Sequence, residues 1–589
     1  MESILSFQQG PLIADVAVNV FSYLSVPEKQ RVAQVCRYWR DMLYLPLFWK
    51  DVIIILPLNS SESLFESLRR RKITRVHCTR ATEQELDWLF EKVPDLTHLF
   101  FRGCPQVSEG FLQRKIPTLP SLQHLFFRDC KQVTDKLTKD HLFVSSLRNL
   151  KSLSLKSCSR IYFAGFRRLT EYLHNLEFLD LTNCGNLDNH CLKILSNSCP
   201  NLTCLLLDGC EWVSMTGLKH ISQLKNLKKL NLRDCRDLDD EEVHSLSSRL
   251  PNLELFDIRE VPFVGNETVR EIARELPKLK HFAFGGNDLE FFDHITDLEH
   301  TFSEVAKLKD LECIKMDVES FLGGITDSCL VKFEEELPNL KKLDMGSLES
   351  FSIQTARSLA SKVPNIESLT VITYNEVMPF EGLVWFCSQL KNLRILEFDI
   401  CELTHVALNN LVKNLGQLKS LSLSAKKLTD YSMRSISKHL KELTSLDLDD
   451  CSKITNTGIR YLAKGMPQLQ ELFICDCDHI TNEAVVLIGT HLKNLTSLRI
   501  EGSNINDQGF LYICQNLPKL TKLLSNEFRI TDEGFIQGAM ALSNLEFLKI
   551  SSHYITDDGI KEAVQYLKGL TDIVLLSCPN LTLDAVETP

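Results

Sequence analysis

Apolar residues recur along most of the chain in short runs of the form L-x-x-L-x-L. The runs begin at Leu96, Leu122, Leu150, Leu176, Leu202, Leu227, Leu253, Leu279, Leu311, Leu340, Ile366, Leu393, Leu418, Leu443, Leu469, Leu495, Leu520, Leu545 and Leu570. Nineteen starts spread over 474 residues give a mean step of about 26. Inside each run apolar and polar positions alternate, the period of a strand covered on one face. In Leu176-Glu-Phe-Leu-Asp-Leu-Thr-Asn-Cys184, Leu179 and Leu181 are expected to point inward, Asp180 and Thr182 outward, and Cys184 back into the core. The following stretch through Leu187, Leu192 and Leu195 changes to helical spacing. Hydroxyl and carboxylate N-caps for such helices stand at Ile454-Thr455, Ile480-Thr481, Ile530-Thr531-Asp532 and Ile555-Thr556-Asp557. A strand and a helix cannot bury their apolar faces alone, so neighbouring units must stack on one shared core.

The period and motif predict an α/β fold: a right-handed leucine-rich-repeat solenoid, a horseshoe with a concave parallel sheet and convex helices. Ten cysteines fall eight residues after the first leucine of a run: Cys104, Cys130, Cys158, Cys184, Cys210, Cys235, Cys401, Cys451, Cys477 and Cys578. A small, readily buried thiol suits the inward corner where strand becomes loop, so packing accounts for this register better than metal binding does. No C-x-x-C pair occurs, which removes a RING-type zinc framework and a dithiol redox motif. With cysteine at the end of the strand, the repeats resemble the cysteine-containing class of leucine-rich repeats found in F-box proteins.

Ahead of the repeats, residues 11–51 predict three short helices. Leu12, Val16, Val20 and Leu24 recur at a spacing of four. Ser25-Val-Pro-Glu28 reads as a capping box, and Val32, Val35, Cys36, Trp39 and Leu43 make a second apolar stripe. About 40 residues with this much aliphatic and aromatic surface cannot bury it well alone, so part of it is expected to face a partner. Val20-Phe21-Ser-Tyr-Leu24, Val35-Cys36-Arg37-Tyr-Trp39 and Phe48-Trp49 resemble a small three-helix F-box. The family usually opens Leu-Pro-x-Glu, whereas here Leu12-Ile13-Ala14-Asp15 follows a proline one place early. In that family the segment docks on the adaptor of an SCF-type ubiquitin ligase. By position, the resemblance makes Leu12, Val16, Val20, Phe21, Leu24, Pro27, Val35, Cys36, Trp39 and Trp49 the helical core and adaptor face, without separating the two. A plain helical cap on the first repeat is the structural alternative. The expected organisation is a leader at 1–8, the F-box at 9–51, a linking helical and capping region at 52–92, and about 19 repeats over 93–589.

Variable positions on the open face of the sheet are the fourth and sixth residues after each first leucine. Phe100, Arg102, Phe126, Arg128 and Lys156 form a basic and aromatic patch suited to an acidic protein segment. Glu397, Asp399, Asp447 and Asp449 form an acidic patch suited to a basic one, and Arg499 and Lys549 reverse the sign. Both are candidate substrate contacts, weighed against simple solvated charge. Steps of 32 and 29 residues separate Leu279, Leu311 and Leu340, which places extra loops near Gly285-Gly-Asn-Asp288 and Glu319-Ser-Phe-Leu-Gly-Gly324. Arg69-Arg-Arg-Lys72 reads as the basic end of a helix through Leu64 and Leu68 rather than as a nuclear import tag.

Composition sharpens these readings. At 589 residues, 44% hydrophobic and 24% charged, the chain has the make-up of a folded protein, and its net charge of -11 argues against a phosphate backbone as main partner. The Met1-Glu2-Ser3-Ile4-Leu5 start lacks the basic and apolar regions of a signal peptide, and no apolar run is long enough to span a bilayer. A cytoplasmic or nuclear, reducing environment is expected. No H-E-x-x-H, G-x-x-x-x-G-K-[ST] or G-x-S-x-G element organises catalysis. The resemblance therefore implies a non-catalytic substrate-recognition subunit of an SCF E3 ubiquitin ligase. It would have no cofactor or metal, would be joined through the adaptor to cullin and RING subunits, and would hold a protein substrate on the concave face. Two alternatives stand beside it: a non-ligase repeat scaffold or inhibitor, and a ligand-gated F-box receptor of the plant-hormone type.

Overall fold

The computed structural model describes residues 14–24, 26–56, 60–261, 264–286, 298–318, 325–333, 335–373, 380–400, 403–475, 477, 479–501, 505–526, 528–542, 544–567, 570, 572–576 and 578–581. The chain divides into two compact units, Met1–Trp212 and Val213–Pro589.

The first unit opens with α1 (Ala14–Ser22), α2 (Val26–Val32) and α3 (Arg37–Met42) and a single 3-10 turn at Pro46–Phe48. Strands and helices then alternate: β1 (Ile54–Ile55), α4 (Glu62–Arg70), β2 (Arg75–Thr79), α5 (Glu83–Lys92), β3 (His98–Arg102), α6 (Glu109–Lys115), β4 (His124–Arg128), α7 (His141–Ser146), β5 (Ser152–Ser154), α8 (Phe163–Thr170), β6 (Phe178–Asp180), α9 (Asn189–Ser198) and β7 (Cys204–Leu206). Each strand pairs in parallel with the next, which requires a crossover helix between them. Two strands, β1 and β2, precede the first start read from the sequence. In β2 the pattern is Ile73-x-x-Val76-x-Cys78, the same frame with smaller side chains, and all three residues are buried.

The second unit repeats the scheme with β8 (Lys229–Asn231), β9 (Leu255–Asp257), β10 (His281–Gly286), β11 (Cys313–Val318), β12 (Lys342–Ser347), β13 (Ser368–Thr373), β14 (Ile395–Ile400), β15 (Ser420–Ser424), β16 (Ser445–Asp449), β17 (Glu471–Ile474), β18 (Ser497–Glu501), β19 (Lys522–Asn526), β20 (Phe547–Ser551) and β21 (Asp572–Leu576). These strands too are parallel, in unbroken chain order. The register slips at β12–β13, between Asp344 and Ser347, where Gly346 takes a φ of 56°. The longer steps fall in this region. Of the insertions expected there, residues 287–288 and 319–324 lie outside the described residues, as do Cys401, Leu12, Ser25 and the terminal residues 582–589.

One corner recurs and explains the cysteine register. Seven residues after the first apolar residue of a repeat, the backbone turns into the left-handed region at Arg80, Gly103, Asp129, Ser157, Asn183, Gly209, Asp234, Glu260 and Asp450, with φ between 50° and 68°. Such a residue ends the strand and swings the next side chain inward. After Arg80 and Glu260 that next residue is Ala81 or Val261; elsewhere it is the cysteine, and Cys104, Cys130, Cys158, Cys184 and Cys210 are all buried. Their thiols point at carbonyls of the preceding repeat, Cys184 Sγ to Leu155 O at 3.0 Å and Cys210 Sγ to Leu181 O at 3.1 Å. Burial pushes the Cys130, Cys184 and Cys210 thiols up to about 12.

Helix starts are coupled between repeats. Asp430 accepts hydrogen bonds from Thr455 N and Oγ1 at 2.9 and 2.8 Å, and Asp507 does the same for Thr531 at 2.8 and 2.7 Å. Thr455, Thr481 and Thr531 in turn cap their own helices, whereas Thr556 gives its hydroxyl to Asp532 and makes no side-chain cap bond. No described helix is long and apolar enough to cross a membrane.

Candidate functional site

At the N-terminus the helices sort the candidate residues by depth. Ala17 and Phe21, four apart on α1, turn inward at 0% and 2% exposure. The Phe21 ring meets Trp39 edge-on at 5.5 Å and Phe48 at 6.2 Å. Trp49 is buried, donating its indole N–H to Leu43 O at 2.6 Å. Lys29 bends into the same core and donates to Phe48 O at 3.1 Å, and burial lowers the pKa of its ammonium. From the C-cap of α4, the Arg71 guanidinium lies 4.4 Å from the Tyr44 ring centre and 4.8 Å from that of Trp49. The basic run 69–72 therefore ends the helix and reaches back to the N-terminal core.

The outward side is aliphatic. Val16 and Val20, four apart on one stripe of α1, are 43% and 47% exposed, and Tyr23, on the turn just past the helix, is 90% exposed. Val35 is 62% exposed and Cys36 is also exposed. The sequence reading made Val32, Val35, Cys36, Trp39 and Leu43 one helical stripe. Instead α2 stops at Val32, and Cys36 is the N-cap of α3, its sulfur accepting from Trp39 N at 3.4 Å. Val35 and Cys36 therefore sit on a turn in solvent, while Leu43 is buried and Trp39 and Leu24 are half-buried. The Pro27 side chain, like Leu12, is outside the described residues.

The open sheet face of the first unit carries three aligned rows. Constant register puts Arg75, His98, His124, Ser152 and Phe178 in one row, and His77, Phe100, Phe126, Ser154 and Asp180 in the next. Thr79, Arg102 and Arg128 form the third, and Lys156 follows two residues after Ser154. Phe100 and Phe126 stack at 4.4 Å with planes 5° apart. His77 lies 5.7 Å from Phe100, and Phe178 lies 6.0 Å from Phe126. Arg102 and Arg128 are exposed, and Lys156 is half-buried. Burial, then the nearby Arg102 and Arg128, lowers the His77 pKa. Burial, then His124 and Arg75, brings His98 to about 4. His77 and Phe178 were missed in the sequence, although Ile73-x-x-Val76 was the signal for the extra strand. Asp180 and Thr182, read as outward, are nearly inaccessible. Ser154 Oγ and Thr182 N donate to the Asp180 carboxylate at 2.9 and 3.0 Å and close over it.

In the second unit, Glu397, Ser422, Asp447, Phe473 and Arg499 share one row, and Asp399, Ser424 and Asp449 the next. The four carboxylates thus stand on β14 and β16 with two serines between. Thr370 Oγ1 donates to Glu397 at 3.1 Å. Asp447 is pushed up to about 6, mostly by burial and then by Asp449, with Arg499 opposing and Glu397 adding. Arg499 pairs with Glu501 at 2.8 Å, so its charge is largely spent beside the acidic group. Among the described residues no three His, Cys, Asp or Glu side chains stand where they could hold a metal ion.

Comparison with known proteins bears on the N-terminal segment first. Residues 14–55 match the F-box-like family model. The chain is 24% identical over 210 residues to the SCF E3 ubiquitin ligase complex F-box protein pof2 of Schizosaccharomyces pombe, 35% of each chain. It is 34% identical over 76 residues to the DNA repair protein RAD7 of Saccharomyces cerevisiae, 13% of this chain and 14% of that one. The matches therefore span about a third or less of these relatives. Among solved structures, the yeast Rad7 and Elc1 complex aligns with a TM-score of 0.38 at 18% identity, covering 77% of this chain and 91% of that one. The TLR13–ssRNA13 complex aligns at 0.33 and 19%, covering 90% and 72%. Helical segment, cysteine-cornered repeats and family match agree: the chain carries an F-box-like segment at residues 14–55 followed by leucine-rich-type repeats.

Proposed function

We propose that this chain is the substrate-recognition subunit of an SCF E3 ubiquitin ligase, itself without catalytic residues. The observation that carries the reading is the split within the F-box: Phe21 and Trp49 are spent on the core, while Val16, Val20, Tyr23 and Val35 remain in solvent. Aliphatic and aromatic side chains grouped on one small segment are the usual mark of a protein contact. The 24% identity to an SCF F-box protein supports the adaptor as the partner. Cullin and RING subunits would join through the adaptor, and the open repeat faces would hold the protein substrate, through Phe100, Arg102, Phe126, Arg128 and Lys156 or through Glu397, Asp399, Asp447 and Asp449. The benefit is effective concentration: a substrate held on the repeats meets the charged conjugating enzyme as if tethered to it.

The test is co-elution on gel filtration of purified chain with purified adaptor, beside a chain lacking residues 1–51. Co-elution that the deletion abolishes supports the reading. A full-length chain that elutes apart from the adaptor leaves only a repeat scaffold.

A further inference from the structure

Ring geometry on the first unit's sheet face restricts what it can hold. Phe100 and Phe126 cover each other's inner faces at 4.4 Å, and His77 and Phe178 flank the outer ones. Each half-buried ring thus has one face closed by its partner and a tilted ring beside it, which leaves its edge, the positive end of the aromatic quadrupole, toward the open face. One row away stand Arg102, Arg128 and Lys156. Arg128 has Asp129 at 3.4 Å, while Arg102 and Lys156 have no ion-pair partner among the described residues. Arg75, in the remaining row, is held by Asp51 at 3.0 Å. The first carboxylate in the register rows, Asp180 on β6, is buried under Ser154 and the Thr182 amide. The three histidines are neutral near pH 7, because burial holds them below their usual value. The face from β2 to β5 is therefore positive through its arginines and lysine, and apolar through ring edges.

We propose that this face takes an acidic, extended segment of the protein substrate, with carboxylates against Arg102, Arg128 and Lys156 and apolar side chains against the edges of Phe100 and Phe126. The inference rests on the receptor reading above and adds the chemistry of what is received. A single-stranded nucleic acid fits poorly, because bases bind by stacking on open aromatic faces, and Phe100 and Phe126 already close one face of each other with a tilted ring beside each.

Fluorescence anisotropy on the full-length chain tests it, using a fluorescein-labelled Glu-Gly-Leu repeat peptide, a Gln-Gly-Leu repeat of equal length and an oligo-dT strand. The acidic peptide is expected to bind about tenfold more tightly than the neutral one and to weaken as salt is added. Arg102→Glu combined with Arg128→Glu should abolish that preference, and both side chains are exposed, so the fold is not at stake. Phe100→Ser with Phe126→Ser should weaken the acidic peptide by about tenfold. Equal affinity for the neutral peptide, tighter binding of oligo-dT, or a preference that survives the charge reversal overturns the proposal. Adaptor co-elution of the same preparations is read alongside. Its loss counts against the receptor reading, and the peptide result still decides this one.

Discussion

Asp532 holds Thr556 at two points, accepting from its backbone N–H at 2.8 Å and from its hydroxyl at 2.6 Å, and so fastens one helix start to the next. Gly559 packs directly against that carboxylate: a Cβ there would stand 2.0 Å from Asp532 Oδ1. The pinned carboxylate cannot swing aside without breaking both bonds. Asp532→Ala should cost about 1–2 kcal/mol and Gly559→Ala about 1–3 kcal/mol. Repeat arrays open locally, so the check is hydrogen exchange across residues 532–564, where both variants should raise exchange while residues 430–465 stay protected.

Asp447 sets a pH dependence whose sign follows from its environment. Its folded value, about 6, lies above the ordinary 3.8, so the folded chain holds this proton more tightly than the unfolded chain does. Stability should therefore fall as pH rises from about 4 through about 6. Asp447→Asn removes the cost and should stabilise the second unit near pH 7 by about 1 kcal/mol, discounted for partial exposure, and change little near pH 4. Denaturant melts at the two pH values check this. A variant no more stable at neutral pH would show that the carboxylate finds compensation.

The thiols separate cleanly. Cys36 is the exposed cysteine among the described residues, while burial holds Cys130, Cys184 and Cys210 at about 12. Iodoacetamide near neutral pH should label Cys36 first, and the three buried thiols only as fast as their repeats open. Mass spectrometry of timed digests measures it, and equal labelling of Cys184 and Cys36 would contradict the buried corner.

Legibility in the sequence followed the strength of each local constraint. Nineteen strands were readable because every Leu-x-x-Leu-x-Leu must be buried in register, whereas β2 was passed over because valine and cysteine fill the leucine positions. The cysteine register was plain, yet its cause, the left-handed residue before it, is scattered over Gly, Asp, Asn and Ser and leaves no single-letter signal. Phe100, Arg102, Phe126 and Arg128 were found because alternation alone places them on one face. That the two rings close on each other depends on the pairing of β3 with β4, which no single repeat encodes. In the F-box, a spacing of four grouped Val16 with Val20 correctly, but which stripe faces inward is decided by the long reach of Phe21, Trp39 and Phe48.

The receptor reading depends on one surface, and calorimetric titration of the SCF adaptor into Val20→Asp chain tests it most directly. Val20 is 47% exposed while its neighbour Phe21 is 2% exposed, so the substitution adds charge to the surface without opening the core. The account predicts an affinity at least about thirtyfold weaker than wild type, with an unchanged circular dichroism melt. Wild-type affinity in the Val20→Asp chain would contradict it.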